Sequence, residues 1–433
     1  MKYKPLNPGL YRLNRRRFAS QMKPDSIAIF HSNDMMPRSG DQFFPFRQNT
    51  ALFSMSGLDQ EETVLVLFPA CVKDGFQEVV FIKKTTERMA IYDGQKYTKD
   101  EAQKVSGIQK IFWLEEMDKV LNELILLSKR IYVSLNENDY YRSDLQTKNL
   151  RFAKQLQERY PAHKYHRSGP ILKKMAMIKS KYEVTAIDKA CEITEKAFRR
   201  VLDFVKPGVM EYEVEAEIIH EFLRNRATGH AYSPIVASGK SSCILHYIDN
   251  NQVCNDGDLL LMDFGAEYAN YAADMTRVIP INGQFTTRQK AVYNSVLKVM
   301  QEATQMLVPG TMMDDYHKEV GIMMEKELLD LKLISKTDIK NQDPDKPVYK
   351  KYFMHGTSHH LGLDVHDLSS QYVPIQAGMV FTCEPGIYIP EENIGIRLEN
   401  DILVTDHEPV NLMASIPVEV EEIEELMNSR ILT

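Results

Sequence analysis

The first 150 residues carry short apolar runs that alternate with amphipathic helical patterns. Apolar runs of strand length, bounded by polar turn residues, are typical of β-strands. Strands that alternate with helices predict an α/β layer with a partly parallel sheet. The predicted strands cover 26–30, 63–68, 78–82, 110–114 and 130–135.

A polar and basic stretch at 158–180 interrupts this alternation and contains two prolines. It predicts a linker, with a domain boundary near residues 160–175. Because 433 residues are too many for one ordinary core, we expect two domains, at 1–170 and 171–433. A long helical pattern follows at 181–205 and ends before a Pro-Gly pair.

The second part of the chain contains an internal repeat. The segment GDLLLMDFG at 257–265 aligns without gaps on GMVFTCEPG at 378–386, so that Asp263 falls on Glu384. In each half a helical pattern ends at a Pro-Gly pair, at 207–208 and at 309–310. This repeat predicts two helix–helix–hairpin units related by an approximate two-fold axis, each of which delivers a carboxylate to the same place.

Composition narrows the class of protein. The chain has 43% hydrophobic and 26% charged residues, as soluble globular proteins do, and a net charge of −7 gives no reason to expect nucleic acid or a membrane as partner. The five cysteines are odd in number and scattered, and no apolar leader follows the arginines at 15–17. We therefore expect free thiols and a cytoplasmic location.

Acidic residues recur on the predicted hairpins. Period-two alternation places Leu259, Leu261 and Asp263 on one strand face, where a buried aspartate is costly unless another group compensates it. Further acids are Asp274, expected inside the next strand, and Glu384 with Glu399 in the second half. One alternative is that these acids form surface salt bridges at strand edges.

Together, four such carboxylates would repel one another if they were buried side by side. Two divalent cations would neutralise them, and one neutral histidine would complete the site. Oxygen-rich ligation with one imidazole suits Mn²⁺, Co²⁺, Fe²⁺ or Zn²⁺. Two ions about 3.5–4 Å apart could share a hydroxide that acts as a nucleophile.

These acids and one histidine resemble the five-ligand signature of the pita-bread metallopeptidases, which include methionine aminopeptidases, prolidases and aminopeptidases P. The order is Asp, Asp, His, Glu, Glu, with spacings of 11, 85, 25 and 15 residues. The segments 37–68 and 238–251 are similar to bacterial-type aminopeptidase P. The matching residues are Asp263, Asp274, His359, Glu384 and Glu399.

The resemblance implies an α/β N-terminal domain of the creatinase/aminopeptidase P type and an α+β pita-bread catalytic domain with an internal pseudo-two-fold repeat. It implies removal of an N-terminal residue when proline is second, with two divalent ions per chain, usually manganese. A prolidase, which cleaves Xaa-Pro dipeptides, has the same ligands and stays open as an alternative. A non-catalytic binding module on this fold is a remoter one, since such relatives lose the ligand set.

By the same resemblance, His359 is a metal ligand, and Glu384 at the metal bridge also takes a proton from water. His246, His355 and His366 match histidines that face the substrate in this family and take part in catalysis. Arg397 and Tyr388 match pocket positions.

One further residue of the resemblance lies in the N-terminal domain. Asp41 matches an acidic residue that closes the site of a neighbouring subunit, which implies a homodimer or homotetramer. The chain departs from its relatives at 91–94, where it reads Ile-Tyr-Asp-Gly in place of a tryptophan before the glycine.

Overall fold

The computed structural model describes residues 2–141 and 143–429. The chain divides into two compact units, Tyr3–Ala176 and a second unit that begins at Met177. The predicted division between residues 170 and 171 falls inside the helix Gly169–Met177 and stays a prediction.

The strands of the first unit are β1 Ser26–His31, β2 Pro37–Ser39, β3 Gln42–Phe43, β4 Val64–Leu67, β5 Glu78–Ile82, β6 Lys110–Trp113, β7 Arg130–Val133 and β8 Lys164–Arg167. The main sheet has the order β6-β5-β4-β1-β7-β8, whereas β2 and β3 form a separate exposed hairpin. β1 pairs with β7 in parallel and with β4 in antiparallel fashion. The predicted strands and the partly parallel sheet are thus confirmed.

The helices of the first unit are α1 Pro8–Ala19, α2 Thr50–Ser56, α3 Glu87–Tyr92, α4 Lys99–Ser106, α5 Met117–Leu127, α6 Lys148–Arg159 and α7 Gly169–Met177. The ends of these helices carry residues that are typical of helix caps, as α4 shows. Thr98 and Glu101 form a capping box at the start of α4, and Gly107 ends it in the left-handed conformation.

The prediction of a linker at 158–180 was wrong. The stretch contains β8, which pairs in parallel with β7, and α7. Its polar composition is that of an edge strand with partly exposed side chains. Polarity alone does not separate such a strand from a linker.

One face of the main sheet holds the core beneath α5 and α6. Ile27 and Ile29 of β1 pack there with Leu121 of α5 and Leu156 of α6. Side chains alternate along a strand, so the next residue on this face is His31, at the carboxyl end of β1.

The helices of the second unit are α8 Lys181–Phe204, α9 Glu211–Arg224, α10 Thr287–Gln305, α11 Met313–Asp330, α12 Lys336–Lys340 and α13 Val420–Asn428. Its strands are β9 Gly229–His230, β10 Ile235–Ser238, β11 Leu259–Asp263, β12 Ala266–Tyr268, β13 Tyr271–Ala272, β14 Thr276–Pro280, β15 Val380–Cys383, β16 Gly386–Ile389, β17 Ile394–Arg397, β18 Asn400–Leu403 and β19 Val410–Asn411. The long helix predicted at 181–205 is confirmed as α8.

The internal repeat appears as matching element orders. In the first half, α8 and α9 precede the antiparallel pairs β11–β14 and β12–β13. In the second half, α10 and α11 precede the antiparallel pairs β15–β18 and β16–β17. Within the described residues, no helix combines the length and apolar character needed to cross a membrane.

Candidate active site

Paired hairpins bring the four acids together in the second unit. Asp263 is the last residue of β11, and Glu384 directly follows the equivalent strand β15. Asp274 lies in the link between β13 and β14 rather than inside a strand, and Glu399 lies in the matching link between β17 and β18. Each half of the repeat therefore contributes one acid from each side of its hairpin.

These acids line a cavity of about 300 Å³. The same cavity is lined by the predicted metal ligand His359, by His246, His355 and His366, and by Arg397. Ligand atoms of Asp274, His359 and Glu399 all lie within 4.8 Å of one another. The His359 Nε2 is 3.4 Å from Asp274 Oδ2 and 3.7 Å from Glu384 Oε1.

The electrostatics of this cluster show a deficit of positive charge. Burial raises the pKa of Asp274 and of Glu399, and it raises the pKa of Glu384 to about 7. Repulsion between the acids adds to the effect of burial. Burial on its own would lower the pKa of His359, but the hydrogen bond to Asp274 and the charge of Glu384 raise that pKa to about 9.

The donor set fits divalent metal ions. Crowded carboxylate oxygens with a single imidazole suit hard or borderline cations, and such cations would replace the protons that the raised pKa values imply. His359 already has its Nδ1 3.1 Å from the carbonyl oxygen of His360, which leaves Nε2 directed at the acids. This contact orients the ring in the way that metal-binding histidines require.

Arg397 lies in the wall of the cavity and forms hydrogen bonds with three neighbouring side chains. Its guanidinium donates to Asp263 Oδ2 at 2.6 Å, to the Tyr388 hydroxyl at 2.8 Å and to the Thr276 hydroxyl at 3.1 Å. Thr276 in turn donates to Glu399 Oε2 at 2.6 Å. One buried cation thereby fixes two of the acids, directly and through threonine.

Tyr388 lies behind this wall and does not line the cavity. Its hydroxyl is 2.8 Å from His355 Nε2, while His355 Nδ1 is 2.7 Å from the carbonyl oxygen of Gly356. A carbonyl only accepts, so Nδ1 carries the proton and Nε2 accepts from Tyr388. Both ring nitrogens of His355 are therefore engaged within the protein.

The other two histidines lie toward the opening of the cavity. His246 and His366 are both exposed. The ring of His366 makes an edge contact with His359, with 4.4 Å between ring centroids. Both side chains line the cavity and are accessible from outside it.

Sequence reasoning missed Tyr232. Its hydroxyl is 2.6 Å from Asp263 Oδ1 and 2.5 Å from Asp274 Oδ1, so it joins the two acids of the first half. It follows β9 in a link that carries no recognisable motif. A tyrosine in such a link gives no signal of this contact, and only the folded chain reveals it.

Sequence reasoning also missed the ion pair between Lys179 and Asp367. The two side chains are 2.8 Å apart and almost fully buried. Asp367 ends the loop that starts at His359, and its backbone N–H donates to the carbonyl oxygen of His360 at 3.0 Å. The pair therefore anchors the loop that carries the predicted metal ligand.

Asp41 belongs to the first unit, at the exposed turn between β2 and β3. Its carboxylate accepts a hydrogen bond from the neighbouring Gln42 side chain at 3.0 Å. Tyr92, at the departure from the family pattern, ends α3 and is also exposed. The role expected for Asp41 stays a prediction.

Comparison with known proteins places this site in a family. The model of metallopeptidase family M24 matches residues 185–406, about half of the chain, and the model of the aminopeptidase P N-terminal domain matches residues 11–132. The chain belongs to metallopeptidase family M24 and is a hydrolase that uses divalent metal ions. The predicted fold, an aminopeptidase P-like N-terminal domain followed by a pita-bread catalytic domain, is confirmed.

Similar proteins extend over nearly the whole chain. The chain is 34% identical to an Xaa-Pro aminopeptidase of Escherichia coli, covering 96% of this chain and 97% of the relative. It is 32% identical to an Xaa-Pro aminopeptidase of Haemophilus influenzae, covering 96% of each. The structure of Pseudomonas aeruginosa aminopeptidase PepP superimposes with a TM-score of 0.89 at 30% identity, covering 99% of both chains.

Proposed function

We propose that this metallopeptidase is an Xaa-Pro aminopeptidase, which releases the N-terminal residue from peptides with proline in second position. The observation that carries the proposal is the full-length similarity to enzymes of that name, which includes the N-terminal domain. The cavity supports it, because acids and histidines surround a space that is large enough for a short peptide end.

The metal site would consist of the five side chains that meet in the second unit. For the two ions we propose Mn²⁺, with Co²⁺, Fe²⁺ and Zn²⁺ as alternatives that the same donors accept. When bound, such ions polarise a peptide carbonyl and generate a nucleophile from water near neutral pH. The residues that would hold them are Asp263, Asp274, His359, Glu384 and Glu399.

Side chains of the protein would accept and donate the protons that the reaction transfers. Glu384 faces the cavity and would take a proton from the attacking water. Proline leaves as a secondary amine and needs a proton on its nitrogen. His246 and His366 line the cavity near its opening, so either imidazole would donate that proton.

His355 would stabilise the developing charge on the carbonyl oxygen by donating from its ring. Its bonds to the Gly356 carbonyl and the Tyr388 hydroxyl mean that the ring must give up one partner when it does so. Tyr388 and Arg397 would hold the ring and the nearby Asp263 in place for this step.

A comparison of three short peptides tests the proposed specificity. Purified protein supplied with Mn²⁺ is expected to release glycine from Gly-Pro-Ala much faster than from Gly-Ala-Ala. Cleavage of the dipeptide Gly-Pro with no cleavage of Gly-Pro-Ala would instead establish a prolidase. Metal content measured on the same preparation should approach two equivalents per chain. The peptidase activity that each of the four metals restores to metal-free enzyme tests the choice of Mn²⁺.

Paired variants test the ligand assignment. Asp263→Asn should lower kcat/KM by more than about a hundredfold, because even the partners of metal ligands contribute 10- to 100-fold. Asp256→Asn serves as the control, since Asp256 is exposed and bonds only to Asn282 among the described residues. Equal activity of the two variants would refute the assignment.

We also propose a homodimer or homotetramer in the cytoplasm, with Asp41 reaching the site of a neighbouring subunit. Light scattering after gel filtration measures the oligomer, and cell fractionation tests the location. Asp41→Ala should raise KM for a tripeptide while leaving the metal content unchanged. Asp74→Ala, another exposed acid of the same unit, should change neither.

A further inference from the structure

A second cavity lies within the first unit. It has a volume of about 350 Å³ and lies between α5 and α6, and its lining extends from His31 at the end of β1 to Tyr160 just after α6. This is within the size range of small-molecule sites.

His31 forms the buried end of this cavity. Its side chain is on the face of β1 that packs against α5 and α6, and the residue is only 3% exposed. Neither ring nitrogen has a hydrogen-bond partner among residues 2–141 and 143–429. Buried polar groups are nearly always satisfied, so a ring without a partner in a cavity wall has an unused N–H that a ligand could accept.

Lys148, in the first turn of α6, lines the same cavity. Burial lowers the pKa of His31 to about 3, and the positive charge of Lys148 adds to this shift. The Lys148 ammonium forms neither a hydrogen bond nor an ion pair within the described part of the chain. The neighbouring Arg151 differs, because Asp34 pairs with it at 2.7 Å.

The rest of the lining combines apolar and cationic groups. The ring of Phe152 lies against His31, with 4.1 Å between centroids, and Leu121 and Ile125 are buried beside it. Among the described residues, the lining contains one acidic side chain, Asp118, and three cationic side chains. The cationic side chains are those of Lys148, Arg151 and Arg159. The cavity thus combines apolar side chains with cationic groups, of which Arg151 is already paired with Asp34.

We propose that this cavity binds a small organic anion, with a carboxylate or phosphate held by Lys148 and His31 and an apolar body against Phe152. A neutral His31 donates one N–H to the anion, and the Lys148 ammonium supplies the countercharge. The site is separate from the peptidase centre in chemistry and in the residues that form it.

Titration of the unmodified enzyme provides the first test. The probes are 3-phenylpropionate and phenyl phosphate, with 3-phenylpropionamide as the neutral control of the same shape. In protein labelled with ¹³C-histidine, either anion at about 10 mM should shift the His31 resonance, as a site with a Kd of about 1 mM would be largely occupied. The signal is assigned by its absence from His31→Gln. Which anion binds more tightly separates a carboxylate from a phosphate ligand.

Matched lysine variants provide the second test. Lys148→Met should raise the Kd of the bound anion about tenfold or more, the effect expected for loss of one charged hydrogen bond. Lys154→Met should leave the Kd unchanged, because Lys154 lies on the same helix and is exposed outside the cavity. Peptidase activity and melting temperature should stay at the wild-type level in both.

Three results would overturn the proposal. The first is an unmoved His31 resonance with both anions, which would mean that they bind elsewhere, such as at the peptidase metals. The second is equal affinity for the amide and the acids. The third is equal loss of affinity in Lys148→Met and Lys154→Met.

Discussion

Replacing Asp367 with asparagine is expected to lower the free energy of unfolding of the second unit by about 3–5 kcal/mol. That is the cost of breaking a buried ion pair by removing one partner. The Lys179 and Asp367 side chains are 1% and 3% exposed, so solvent does little to screen their interaction. For a unit of this size the loss corresponds to a fall in melting temperature of about 6–20 °C.

The structure predicts a local consequence for the site as well. Asp367 lies beside Gly362, where the β-carbon of any larger residue would fall 2.1 Å from the Asp367 carboxylate. The loop from His359 to Asp367 is therefore packed tightly around this carboxylate. We expect Asp367→Asn to loosen the loop and to weaken metal binding at His359.

Scanning calorimetry of the metal-loaded and metal-free enzyme measures both effects. Glu192→Gln is the control, because Glu192 pairs with Lys189 and Lys196 on the exposed side of α8 and such pairs contribute about 0–1 kcal/mol. The double variant Lys179→Met with Asp367→Leu should recover much of the stability, since it removes both buried charges. Equal melting temperatures for Asp367→Asn and Glu192→Gln would refute the reasoning.

Three other predictions concern the site and the first unit. Removal of metal by a chelator should abolish peptidase activity and lower the melting temperature, because the clustered acids lose their countercharges. Added Mn²⁺ should restore the activity and the melting temperature. Full activity in the chelated enzyme would contradict this prediction. Arg397→Met should weaken metal binding about 10- to 100-fold by calorimetric titration, because Arg397 positions Asp263, whereas Arg397→Lys should lose less. Burial lowers the pKa of His31 to about 3 from an ordinary value near 6.5. The folded protein therefore keeps its full stability from a neutral His31 above pH 6.5 and loses stability as the pH falls below that value. At pH 4.5 that loss is about 2–3 kcal/mol, and denaturant unfolding of a His31→Leu variant should lack this part of the pH dependence.

Local pattern was enough to predict much of the fold. The strands of the first unit and the helix α8 follow from apolar periodicity and from glycine and proline signals, which act within a few residues. The repeat was visible because Asp263 and Glu384 stand at equivalent places in two similar hairpin segments. The linker prediction failed because β8 is a polar edge strand, and its parallel pairing with β7 is a contact between distant parts of the chain.

The sequence by itself determined which side chains were candidates for the site, through residue type, spacing and the resemblance to a family. Only the tertiary structure decided how they are held. Three features depend on contacts between residues far apart in the chain: Tyr232 between two acids, the ion pair of Lys179 with the loop of His359, and His31, whose ring has no hydrogen-bond partner in the described part of the chain. Burial and the distance between charges set these interactions, and neither quantity is defined until the chain has folded.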